Sequence, residues 1–130
     1  MSKSWMKRSL LSVLLLTTSA LAAGTAEVKV GTGVEKTQLV GATNTFKVAP
    51  DTRIYAGTLV TGVENGAVTV VWFKDDKEVS RTELKVPRSP WRTHAYRTFR
   101  AGESGSWTAK VLDASGAELG SAPFTVEVSG

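Results

Sequence analysis

Short segments rich in β-branched and aromatic residues recur along this sequence, and turn-forming residues separate them. Val68–Phe73 is followed by the polar residues Asp75-Asp76-Lys77 and then by a second extended segment, Glu78–Val86. Two such segments on either side of a short polar turn are typical of a β-hairpin. Extended segments recur roughly every ten residues, with no sustained helical period between them, as in sandwich domains. The sequence therefore predicts an all-β fold, a single antiparallel β-sandwich of the immunoglobulin or fibronectin III type with about seven strands.

Alternation within these segments also predicts which side chains form the core. Trp107 shares one side of its strand with Ala109 and Val111, and Trp72 shares one side with Val68 and Val70. Two packed sheets need large apolar side chains of this kind between them. The predicted core residues are Trp72, Trp107, Val111, Phe124 and Val126.

The first 22 residues follow the pattern of a secretory signal peptide. Lys3, Lys7 and Arg8 precede an apolar run over residues 10–16, and Ala20-Leu21-Ala22 supplies small residues before a cleavage site. We therefore expect residues 1–22 to be a signal peptide cleaved near Ala22, with no membrane span in the remaining chain. An uncleaved N-terminal anchor is the alternative. The expected location of the processed protein is periplasmic or secreted.

The remaining chain divides by the strength of its pattern. Residues 23–52 are weakly patterned and rich in Gly, Thr and Ala, with one short edge strand predicted where Val28 and Val30 alternate with charged residues. Residues 53–130 carry the strong alternation and are predicted to form the body of the sandwich. The sequence contains no cysteine, so packing and not disulfide bonds must hold the fold together.

The charge of the processed chain argues against nucleic acid as a partner. The sequence has 16 basic and 12 acidic residues, but three basic residues and no acidic residue lie in the first 22 positions. The remainder holds 13 basic against 12 acidic residues, a net charge of +1. Binding to phosphate backbones requires a larger excess of Lys and Arg.

The sequence contains no convergent set of residues for catalysis or metal binding. Its one histidine, His94, lies in a predicted strand without the acid and nucleophile that a catalytic triad needs. A zinc site needs several His or Cys ligands. Asp75, Asp76 and Glu78 could bind calcium weakly, but a solvated turn is the favoured interpretation. We therefore predict no catalytic, metal or cofactor-binding residues, and a protein that is not an enzyme.

Residues 87–97 form the richest cluster of cationic and aromatic side chains. On a strand, Arg92, His94, Tyr96, Thr98 and Arg100 would share one side. Arginine and aromatic residues are the usual anchors of binding surfaces. The predicted binding face comprises Arg92, His94, Tyr96, Arg88 and Arg100. The structural alternative places Trp91 in the core at a sheet corner and pairs the arginines with acids such as Glu83.

These observations favour an exported, non-catalytic binding or interaction module of the bacterial cell envelope. The expected partner is an envelope protein or a cell-wall polymer. The alternative is a carbohydrate- or peptidoglycan-binding module, which would need aromatic rings exposed to solvent. The sequence alone leaves the oligomeric state open.

Several short motifs together resemble a known bacterial family. They are Val71-Trp72-Phe73, Asp76–Val79, Ser89–Thr93, Gly105–Thr108, Val111–Asp113 and Phe124–Val126. As a set they are similar to a bacterial domain of unknown function, family 2914, over about Tyr55 to Val128. The resemblance implies a small β-rich domain found in bacterial, often envelope-associated, proteins. It implies no established activity and therefore no catalytic residue.

Overall fold

A computed structural model describes residues 24–129, which fold entirely into strands, turns and loops. The predicted signal peptide, residues 1–22, lies outside the described residues. Ten strands follow one another along the chain. They are β1 (Thr25–Gly31), β2 (Gly33–Glu35), β3 (Gln38–Val40), β4 (Thr45–Val48), β5 (Thr52–Thr61), β6 (Gly66–Lys74), β7 (Lys77–Val86), β8 (Trp91–Phe99), β9 (Gly105–Leu112) and β10 (Glu118–Val128).

Two sheets form the sandwich, and a small hairpin accompanies them. One sheet has three strands in the order β1-β5-β8, and the other has five in the order β4-β10-β9-β6-β7. The strands β2 and β3 pair only with each other. Strand β1 contacts β10, and strand β8 contacts β7. The two sheets therefore pack face to face with β1 toward the β10 side and β8 toward the β7 side of the larger sheet. The predicted immunoglobulin-like β-sandwich is confirmed.

The structure has more strands than the predicted seven, and the additional ones lie near the N terminus. Residues 23–52, for which the sequence predicts one edge strand, contribute β1 to the first sheet and β4 to the second. The hairpin β2–β3 lies between them. Strand β4 pairs parallel with β10, with Phe46 beside Val126, whereas all other pairs are antiparallel within the described chain. Strands of three or four residues carry too little alternation to be recognised from the sequence.

The space between the sheets is filled by aromatic rings surrounded by valines. Phe99 packs edge-on against Trp107, with ring centroids 4.7 Å apart, and also contacts Trp72 and Phe124. Edge-to-face contacts of this kind are the preferred geometry for buried aromatic pairs. The structure places all five predicted core residues here, each at most 4% exposed.

No helix within residues 24–129 is long and apolar enough to cross a membrane.

Candidate functional site

The predicted binding face lies on the outer side of the three-stranded sheet. Along β8, Ala95 and Phe99 point into the core. Arg92, His94 and Tyr96 occupy the alternate positions, so they point outwards, and all three are exposed. Residues directly opposite in an antiparallel pair share the same side of a sheet. The partners of these three residues on β5 are Leu59, Gly57 and Tyr55, respectively. Two neighbouring strands therefore build one surface.

An aromatic and cationic ladder runs across this surface. The Arg53 guanidinium lies over the Tyr96 ring, 4.3 Å from its centroid. The Tyr55 ring lies 5.6 Å from Tyr96 and 6.1 Å from His94, with tilted geometry in both pairs. The hydrogen bond with the Tyr55 side chain, together with the nearby Tyr96 hydroxyl, raises the pKa of Arg53 above its ordinary value. The contacts hold Arg53 against the sheet while Tyr96 remains 47% exposed.

Arg88 and Arg100 flank this ladder at opposite ends of β8. Arg88 lies in the loop before the strand, with its guanidinium over the Trp91 ring at 4.9 Å. Arg100 immediately follows the strand. Arg92 and Arg100 are separated by eight residues, about 26 Å along an extended strand. The predicted face is thus a line of charges along β8, and its members do not converge on one pocket.

Most of these cations have no acidic partner among residues 24–129. Arg53, Arg88 and Arg92 form no ion pair there, and Arg100 approaches Asp51 only at 3.7 Å with both side chains exposed. Glu83, the acid considered as a partner for the arginines, lies on β7 of the other sheet, opposite Thr69. The outer face therefore keeps its positive charge available.

Strand β8 also ends its sheet. Strand β8 pairs with β5 alone. Within residues 24–129, no other backbone hydrogen bond reaches the opposite edge of β8, so that edge is unpaired. An unpaired edge presents backbone N–H and C=O groups that a further strand can use. The open edge thus belongs to the strand that carries Arg92, His94 and Tyr96, and Arg88 and Arg100 flank that strand.

The hairpin β2–β3 covers the neighbouring part of the sheet. Gly57 makes this possible, because a Cβ at that position would lie 3.2 Å from the Cβ of Leu39. A small cleft lies between the hairpin and the outer side of the three-stranded sheet, and Glu27, Lys29, Leu39, Arg92 and His94 are among the residues that line it. The hairpin therefore bounds the exposed aromatic ladder on one side.

Arg53 and Tyr55 also belong to the face, although the pattern of β8 alone does not predict them. Alternation along β5 does place them on one side of that strand, away from buried Ile54 and Ala56. Their proximity to β8, however, depends on a pairing between segments about 40 residues apart, which alternation does not specify.

The other titratable side chains form no candidate metal centre. No three His, Cys, Asp or Glu residues within residues 24–129 are grouped to hold a metal ion. Asp75 occupies a turn with φ of 55°, and its N–H donates to the carbonyl of Ser106 at 2.8 Å. Glu78 is held by Arg81. The backbone of Asp75 is therefore bonded to β9, and the carboxylate of Glu78 is bonded to Arg81.

Solved structures resemble this chain at low sequence identity, and the first of the two described here shares its fold. The CARDB domain of the PF1109 protein from Pyrococcus furiosus, solved in complex with di-metal ions, matches with a TM-score of 0.54 and 14% identity over 84% of this chain and 94% of that domain. A chain from the titin M10–obscurin-like 1 Ig complex matches with a TM-score of 0.41 and 19% identity, over 65% of this chain and 85% of that one. No curated protein matches the chain.

The sequence itself matches one family. Residues 65–126, from the turn before β6 to near the end of β10, match a family described as "Protein of unknown function (DUF2914)". The match includes Val71-Trp72-Phe73, Ser89–Thr93 and Gly105–Thr108, and it lies within the predicted range of about Tyr55 to Val128. Over residues 65–126 this chain is therefore similar to the DUF2914 family.

Proposed function

We propose that this protein is an exported, non-catalytic binding module of the bacterial envelope, and that the outer face of the three-stranded sheet is its binding surface. The observation that carries the proposal is the exposed line of Arg88, Arg92 and Arg100 beside the half-exposed Tyr96. Cations and aromatic rings in this arrangement offer hydrogen bonds, charge and apolar contact area to a partner. The expected partner is an envelope protein.

The opposite sheet does not offer an equivalent surface. Two of its outer cations, Arg81 and Lys110, approach Glu78 and Glu118, and the Lys110 ammonium also lies 4.8 Å from the Phe73 ring centroid. A third outer cation, Lys47, stands in register beside Glu127. Charges that are already paired contribute little to recruiting a ligand, because binding would first have to break those pairs. The two outer faces therefore provide a test surface and a control surface on one molecule.

Binding to a saccharide is the less favoured alternative. Trp72 and Trp107 are buried, and the Trp91 ring lies beneath Arg88. The exposed Tyr96 carries Arg53 against its ring and is inclined by 50° to Tyr55. Stacking a sugar requires a free, flat aromatic surface, which this arrangement provides poorly.

A comparative pull-down from envelope extract tests the binding face. The full chain, purified from the cells that express it, is compared with an Arg92→Ala/Tyr96→Ala variant and with an Arg81→Ala/Lys47→Ala control. We expect at least one envelope protein to be captured by the wild type and the control but lost by the face variant. Equal recovery of every captured protein by all three would reject this face.

The proposed export is tested separately. Cell fractionation combined with N-terminal sequencing of the purified protein should place the new N terminus near position 23, in the periplasmic or culture fraction. Retention of Met1 with the cytoplasmic fraction would overturn the proposed location without affecting the test of the binding face.

A further inference from the structure

We infer that the free edge of β8 accepts an extended acidic peptide segment, which adds to the three-stranded sheet as a fourth strand. This inference rests on the proposed binding face and specifies its partner. Three independent features of the structure carry it: the open edge, an uncovered part of the opposite sheet, and the distribution of charge.

The first feature is the open edge of β8, which belongs to the smaller of the two sheets. Three strands face five, and β8 is the strand of the smaller sheet that contacts β7. Because Thr82 in the middle of β7 is exposed, β8 does not cover the whole of β7, and a strand added beyond β8 would extend the smaller sheet over the uncovered part. Strand addition supplies main-chain hydrogen bonds to the incoming peptide, while pockets for alternate side chains provide selectivity.

The second feature is the inner side of β7, which the smaller sheet leaves uncovered. Ser80, Thr82 and Leu84 pair with Trp72, Val70 and Val68, so their side chains point to the same side as those buried residues. Thr82 is nevertheless exposed, and Ser80 and Leu84 are only half-buried. Small apolar side chains on an added strand would cover this surface.

The third feature is charge. The other side of an added strand would lie beside Arg92, His94 and Tyr96, with Arg88 and Arg100 at its ends. The cations Arg92 and Arg100 are about 26 Å apart along the strand, a spacing that matches acids spread along an extended chain better than one compact anion. Arg97, an inward-pointing charge of the kind that discourages edge pairing, is neutralised here by Glu103.

The same charges disfavour the competing occupants. In an antiparallel pair of two β8 strands centred on Tyr96, Arg92 would face Arg100 of the second copy. Like charges directly opposite each other destabilise a strand pair. The N-terminal residues 1–23 carry basic residues and no acid, so they do not match the face either.

The probe is a capped, dye-labelled heptapeptide, Glu-Val-Glu-Thr-Glu-Val-Glu, titrated into the full chain and followed by fluorescence anisotropy. We expect saturable binding that weakens as salt is added. Replacing every Glu of the peptide by Lys should abolish the binding. An Arg92→Glu/Arg100→Glu variant should bind about tenfold more weakly, whereas a Lys47→Glu/Lys77→Glu control of equal net charge should bind like the wild type.

Two N-methylated peptides distinguish strand addition from simple charge attraction. One carries N-methyl groups at the odd positions and the other at the even positions, so each blocks the hydrogen bonds of one edge of the peptide. One of the two should lose binding to wild-type protein while the other retains it. Retention by both would mean that only charge is recognised, and loss by both would mean that the bound peptide is not a single added strand. Either result overturns the inference.

Two further outcomes are informative. If a sulfated oligosaccharide of the same charge binds as tightly as the peptide, the face recognises polyanions and the inference is wrong. If sedimentation shows a dimer whose β8 amides are protected from hydrogen exchange, the occupant of the edge is a second copy, and the inference is wrong. Neither result bears on the pull-down, in which loss of a partner by Arg92→Ala/Tyr96→Ala would still support the proposed binding face.

Discussion

Arg97, near the end of β8, forms an ion pair with Glu103 in the following loop, with Nη2 and Oε2 2.5 Å apart. The pair is mostly buried, because the side chains are 18% and 26% exposed. The guanidinium also lies 5.2 Å from the ring centroid of Trp107, and the indole N–H of Trp107 donates to the Glu103 carbonyl at 2.9 Å. The charge on the inner side of β8 is thereby paired at the margin of the core through Nη2, while the buried Nε of Arg97 has no hydrogen-bond partner within residues 24–129.

Removing the Glu103 carboxylate should destabilise the β8–β9 connection. That carboxylate also accepts the backbone N–H of Arg100 at 2.8 Å, so it serves two donors. We expect Glu103→Ala to lower the free energy of unfolding by about 1–3 kcal/mol, because Arg97 would be left largely buried without its partner. Urea denaturation measures this change. An Arg97→Met/Glu103→Ala double variant should regain part of the loss, and no recovery would contradict the proposed cause.

Trp107 should be one of the most costly positions to truncate. It is 2% exposed and packs against Phe99 in the centre of the core. We expect Trp107→Ala to reduce the free energy of unfolding by about 3–5 kcal/mol, a large part of the roughly 5–15 kcal/mol available to a domain.

Thermal denaturation followed by circular dichroism tests this expectation. The matched control is Trp91→Ala, since Trp91 is the same residue type but only half-buried. Its melting temperature should fall less than that of Trp107→Ala. Equal losses from the two substitutions would contradict the assignment of Trp107 to the core centre.

The sequence predicts the second half of this fold better than the first for a physical reason. Strands β5 to β10 each have eight or more residues, long enough for the alternation of buried and exposed side chains to be read directly. Strand β4 has four residues, and β2 and β3 have three each. Their formation depends on tertiary pairing, such as that of Phe46 with Val126, more than on local pattern.

The candidate site was predictable only in part, for a related reason. Alternation places Arg92, His94 and Tyr96 on one side of β8 because that information is local. The neighbouring Arg53 and the free edge of β8 both follow from the order of strands in the sheet, which is a non-local property. The hydrophobic pattern of one strand does not identify its neighbours.

The ion pair between Glu78 and Arg81 depends on a β-bulge. Residues three apart normally face opposite sides of a strand, but the register shifts where β7 passes Trp72 and Phe73. Both side chains therefore meet, with Arg81 donating from Nε and Nη2 to the carboxylate at 2.8 and 2.7 Å. The hydrogen bond from Arg81 holds the pKa of Glu78 below its ordinary value of 4.5.

This lowered pKa gives the pair a defined pH dependence. A carboxyl group whose pKa is lower in the folded state stabilises the fold above its unfolded pKa, and the contribution disappears as the pH falls through the folded value. We expect the Glu78 carboxyl carbon to titrate by NMR below 4.5 in the wild type, and at a higher pH in Arg81→Gln. An unchanged titration in the variant would show that Arg81 is not the cause. Because both side chains are exposed, the effect on overall stability should be small.

Gly120 allows β1 to approach β10 at the closed side of the sandwich. A Cβ on Gly120 would overlap the carbonyl oxygen of Ala26, which belongs to the backbone and cannot rotate away. We therefore expect Gly120→Ala to push β1 away from β10 and to reduce the free energy of unfolding by about 1–3 kcal/mol, as overpacking usually does.

Gly66→Ala is the control, because its new Cβ would meet the nearest atom at 3.4 Å, an ordinary contact. Denaturant titration should show the control unchanged or slightly stabilised, and hydrogen exchange should show faster opening of β1 in Gly120→Ala alone. Equal behaviour of the two variants would mean that the approach of β1 to β10 tolerates a side chain at position 120.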